Sequence, residues 1–183
     1  MRFTLLLLLL VATGGFSKTH AAPPSPVTRT FYVTGVECGA CVYLVQLSAS
    51  ERKGVLKAEV EQTADSYANV TFDPGIVSEH QIAQAIREAM PLHGAPYLAR
   101  LKMRVGQYAV HAAAVALVFE RWRDLVRWEV LDEAKGELLV HFLPLETGPA
   151  QTGAVGWSTV ELLRALQGGL PDGVTVKFVE EKP

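Results

Sequence analysis

Cysteine is scarce in this chain: two of its 183 residues, too few for the disulfide framework of a small secreted scaffold. A dominant charge is missing as well. The 17 basic residues meet 19 acidic ones, for a net charge of −2, so there is no broad basic field to grip nucleic acid. Beyond the N-terminus no apolar run approaches the roughly 20 residues that a membrane span needs. The chain also lacks a serine–histidine–acid set, a phosphate-cradling glycine loop and paired carboxylates in a recognisable context, which argues against an enzyme. What remains is 49% hydrophobic and 20% charged. That composition suits a globular chain burying one sizeable core or two small ones.

The N-terminus stands apart. Arg2 precedes the apolar run Phe3 to Ala12, which contains the leucines Leu5 to Leu10, and Thr19-His20-Ala21 offers a cleavage site with a small residue at its end. A basic residue, a short apolar stretch and a small-residue site describe an export signal rather than a membrane span. Residues 1–21 are therefore expected to be a signal peptide, and 22–29, rich in proline, a disordered linker. The expected location is the periplasm or the exterior, with no membrane span left after cleavage.

From Thr30 onward the elements alternate. Thr30 to Thr34 predicts a strand and Cys41 to Lys53 a helix, with Leu44, Val45, Leu47 and Ser48 near one face and Gly54 as its stop. Val55 to Glu61 and Tyr67 to Phe72 alternate as strands. Ser78-Glu79-His80-Gln81 is a capping box, with His80 expected in solvent, and it opens a helix stacking Ile82, Ile86 and Met90. Tyr97 to Val105 is a strand. This order, β-α-β-β-α-β, predicts an α+β fold of the ferredoxin-like sandwich type for residues 30–105. Residues 106–183 then supply α-β-β-α-β. They comprise a helix from Tyr108, strands carrying Val126/Trp128/Val130 and Leu138/Val140/Phe142, a helix striped by Val160, Leu163 and Leu166 after a second box at Ser158, and a last strand with Val174, Val176 and Phe178. They form a diverged, cysteine-free second unit that is one strand short. The strand 97–105 fits either unit.

The two cysteines are three positions apart, in Gly35-Val36-Glu37-Cys38-Gly39-Ala40-Cys41, between a strand and a helix. That spacing brings both sulfurs to one point at a helix N-terminus, whose free N–H groups and dipole favour thiolates. Glu37 is expected to oppose them. A bis-thiolate suits a soft ion of low coordination number, Cu(I) or Hg(II). A structural zinc site needs four ligands, and there is no second Cys-x-x-Cys. Two further readings share the motif: a thiol–disulfide oxidoreductase, and an interaction domain whose cysteines merely close a structural disulfide.

The loop, the Gly54-Val55 pair closing the first helix and the Val70-Thr71-Phe72-Asp73-Pro74 strand exit together resemble the heavy-metal-associated (HMA) domain family, over about residues 30 to 105. Val36 stands where that family commonly has methionine. The resemblance implies that Cys38 and Cys41 hold one soft metal ion and pass it to a partner protein by thiolate exchange, as copper chaperones and the periplasmic mercury-binding protein do. It also suggests that Tyr97 matches the family's aromatic residue near the metal. His93 lies in the same loop and is a candidate third ligand to the sulfurs, although a histidine in an exposed loop is more often solvated than ligating. His111 and His141 have no partner at ligand spacing.

Overall fold

The computed structural model describes residues 25–146 and 153–182; the expected signal peptide lies outside them. The elements run β1 (Val27–Thr34), α1 (Gly39–Ser50), β2 (Val55–Glu61), β3 (Tyr67–Phe72), α2 (Glu79–Glu88), β4 (Leu98–Val105), α3 (Tyr108–Glu120), β5 (Val126–Asp132), β6 (Glu137–Phe142), α4 (Thr159–Gly169) and β7 (Val176–Phe178). Strand β1 starts three residues before the predicted Thr30, so Val27 to Arg29 belong to the sheet rather than to a linker.

The strands form one sheet in the order β2-β3-β1-β4-β6-β5, and β7 pairs with β4 as well. Every pairing is antiparallel. The first six elements give the split βαβ order β4-β1-β3-β2 of a ferredoxin-like sandwich. The elements from β4 onward give β7-β4-β6-β5, the same order again. Strand β4 belongs to both units. Its start pairs with β1 through Leu98 to Arg100, its end pairs with β7 through Met103 to Val105, and β6 lies along its other edge. This completes the second unit, whose missing first strand is β4 itself.

One continuous core runs under both units. It contains Phe31, Val70, Ile82, Ile86 and Leu101 from the first, and Val115, Phe119, Leu138, Val140 and Leu166 from the second. Each such side chain contributes about 1.5–3 kcal/mol on burial. Gly136 shows how closely the second unit abuts β4. It turns the β5–β6 hairpin at φ +63°, and a Cβ there would collide with the Val105 carbonyl oxygen, so only glycine fits.

The Ser78 capping box forms with both of its reciprocal hydrogen bonds, but its residues are not in solvent. Ser78, Glu79, His80 and Gln81 are all buried, because they face the segment that leads into α4. Gln81 donates to the Gly153 carbonyl at 3.1 Å, and Glu79 accepts from the Thr159 backbone N–H at 3.3 Å and from its hydroxyl. Trp157 is likewise buried, edge-on to Phe142 at 5.6 Å. Other predicted faces rotate. Met90 lies beyond the end of α2 and is exposed, as are Leu47 and Val130. In α4 the buried residues are Thr159, Leu162 and Leu166, while Val160 faces outward. Ser158 caps α4 from one side only, accepting from the Glu161 N–H at 3.3 Å.

Candidate metal centre

Strand β1 carries the chain to the cysteines through Gly35, whose φ of +83° sets the turn beside the Tyr97 ring. Val36, in the methionine's place, is buried as an apolar anchor. Cys38 is the N-cap of α1, with extended backbone, and its sulfur accepts from the Cys41 N–H at 3.3 Å. A sulfur thus does the work usually given to a capping hydroxyl or carboxylate. Cys41, one turn on, opens the buried stripe Cys41, Val45 and Ala49 of α1.

The two sulfurs lie 2.8 Å apart. Both thiols are free, Cys38 partly exposed and Cys41 buried. Burial alone pushes the Cys41 thiol up. It is outweighed by the hydrogen-bonded Cys38 thiol, the nearby Tyr97 hydroxyl and the backbone amides of Glu37 and Cys38, which bring the pKa from an ordinary 9.0 to about 6. Glu37 acts here through its amide, not through the opposing carboxylate expected from the sequence.

Tyr97, just before β4, is buried beneath the cysteines. Its hydroxyl lies against the Cys41 sulfur and the Leu92 backbone, yet no described residue meets it in full hydrogen-bond geometry. Across the site His93 brings a ring nitrogen to the sulfurs: the donor atoms of Cys38, Cys41 and His93 all lie within 4.8 Å of one another. No other described residues form such a set. The second unit has Gly106-Gln107-Tyr108 where the first has its cysteine loop. His111 lies on α3, and His141 pairs with Glu129 at 3.2 Å. The structure thus brings together Cys38, Cys41, Tyr97 and His93, and leaves His80, His111 and His141 apart.

Two thiols at a helix start, one of them with a depressed pKa, and a strand-loop-helix that continues into β-β-α-β mark a candidate metal-binding module. Residues 30–90 match the family model for the heavy-metal-associated domain. An uncharacterized protein of Haemophilus influenzae is 34% identical over 62 residues, which are 34% of this chain and 88% of that protein. Through these residues the chain belongs to the heavy-metal-associated domain family. Among solved structures, it is similar to the water-soluble region of the P-type ATPase CopA from Bacillus subtilis, at 19% identity and a TM-score of 0.39, over 84% of this chain and 91% of that one. The N-terminal soluble domains of the same ATPase are 20% identical with a TM-score of 0.33, over 85% of this chain and 95% of theirs.

Proposed function

We propose that the protein is an exported carrier of a soft metal ion, Cu(I) or Hg(II), which it holds through Cys38 and Cys41 and hands to a partner protein. The observation that carries this reading is the pair of free thiols at the N-terminus of α1, with Cys41 at a pKa of about 6. At neutral pH such a pair presents a thiolate, the form that binds soft metals and exchanges them. Export rests on the sequence of residues 1–21 alone.

The two units divide the work. Residues 30–105 carry the ion, while residues 106–183, without a thiol, keep the fold and present the first unit. The oxidoreductase reading is weaker. Two strands follow α1 before the next helix, and residues 30–90 match the heavy-metal-associated domain model. The chain acts as a binding protein rather than a catalyst.

Titration of the reduced protein with Cu(I) and with Hg(II), followed by gel filtration and metal analysis, tests this. The expected result is about one ion retained per chain. Retention of neither ion, with the thiols shown to be reduced, would contradict it.

A further inference from the structure

We infer that His93 is a third metal ligand, and that the resulting two-sulfur, one-nitrogen site is built for Cu(I). This rests on the metal-carrier reading above and deepens it. The ring of His93 reaches the sulfurs from a different element, the loop between α2 and β4, and its donor atom lies within 4.8 Å of both. That loop is pinned beside the site. Tyr97, four residues on, is buried with its ring against Gly35 at the entry to the cysteine loop. His93 is itself exposed and takes part in none of the side-chain hydrogen bonds or ion pairs among the described residues, so no other partner competes for its nitrogens.

The donor set narrows the ion. Thiolates select Cu(I), zinc and iron–sulfur clusters, while imidazole suits zinc, copper, iron and nickel. Copper and zinc satisfy both. Zinc takes four protein ligands in a structural site, and with three it needs a water to complete a tetrahedron; the cluster offers three, two of them thiolate sulfurs. Cu(I) accepts three, and a neutral imidazole beside two thiolates completes its coordination without adding charge.

Copper-edge X-ray absorption and chelator competition on the reduced full-length protein, its His93→Gln variant and the Cys38→Ser/Cys41→Ser variant test this directly. The wild type is expected to show two sulfurs and one nitrogen around Cu(I). His93→Gln should show two sulfurs only and bind Cu(I) at least tenfold more weakly, about 1.4 kcal/mol, with Hg(II) binding little changed. Matching thermal unfolding of the two apo-proteins would confirm an intact fold. Identical two-sulfur spectra and equal Cu(I) affinities in wild type and His93→Gln would overturn the proposal while leaving the carrier reading in place. No Cu(I) retained by the wild type would overturn the proposal alone, and retention of neither Cu(I) nor Hg(II) would overturn both.

Discussion

Among single residues, Cys41 and His80 show what burial does to a titrating group. For Cys41, hydrogen bonds to the thiolate outweigh desolvation. The pair should therefore lose a proton near pH 6, seen as thiolate absorbance at about 240 nm, and Tyr97→Phe should move that midpoint upward. A midpoint above 8 in the wild type would contradict this balance. A thiol whose folded pKa lies below its unfolded one stabilises the fold above about pH 9 and loses that contribution as the pH falls through about 6. For His80 desolvation wins. Burial lowers its pKa, the Leu143 carbonyl pulls it back up, and Arg87 lowers it further. The neutral ring fits its two partners: Nε2 lies 2.7 Å from the Leu143 carbonyl oxygen, and Nδ1 accepts from the Trp157 N–H at 3.3 Å. A proton on Nδ1 would face that donor. The stability contributed by His80 is thus present above the ordinary histidine pKa of about 6.5 and is lost as the pH falls below it. Urea unfolding at pH 7.5 and pH 5 should show a larger acid loss in wild type than in His80→Gln. That variant should also be about 2–5 kcal/mol less stable at pH 7.5, with buried partners left unpaired.

Among the elements, the sequence was legible wherever a rule is local. Strands β2 and β3 fall where their alternation puts them, and the Ser78 box forms with both of its bonds, because each depends on residues a few positions apart. Faces were less legible. The capping box shows where helix α2 begins but not that Glu79 and His80 face the segment around Trp157 and Thr159, so His80 looked like a solvent residue. In α4 the spacing Val160, Leu163, Leu166 and the spacing Thr159, Leu162, Leu166 are equally helical, and only contact with the sheet decides between them. Leu162→Ala should cost about 2–5 kcal/mol, whereas Val160→Ala should stay within about 0.5 kcal/mol. Equal costs by chemical denaturation would contradict the observed face. Helix α3 is apolar nearly all round, and its exposed Val110 and Leu117 obscured in the sequence which side meets Val115 and Phe119.

The whole molecule is two ferredoxin-like units that share a strand. The ambiguity of residues 97–105 in the sequence was real: β4 closes the first unit and opens the second, and periodicity within one strand carries no record of which neighbours it will pair with. Sharing it makes a single sheet and a single core. The C-terminus ties the assembly together. Tyr32 donates to Glu181 at 2.5 Å, and Asn69 donates to the Glu181 carbonyl at 3.0 Å, so the last residues of the second unit lie on strands β1 and β3 of the first. The pairing of the two thiols was the most legible part of the candidate site, because two cysteines three apart at a helix start must meet. Tyr97 and His93 reach it only through the fold. The claim that all of this serves one soft-metal site on two thiols meets its most direct test in competition of the reduced full-length protein with a Cu(I) chelator, against the Cys38→Ser/Cys41→Ser variant. The wild type should take one Cu(I) per chain from the chelator and the double variant none; unchanged Cu(I) affinity in the double variant would contradict the account.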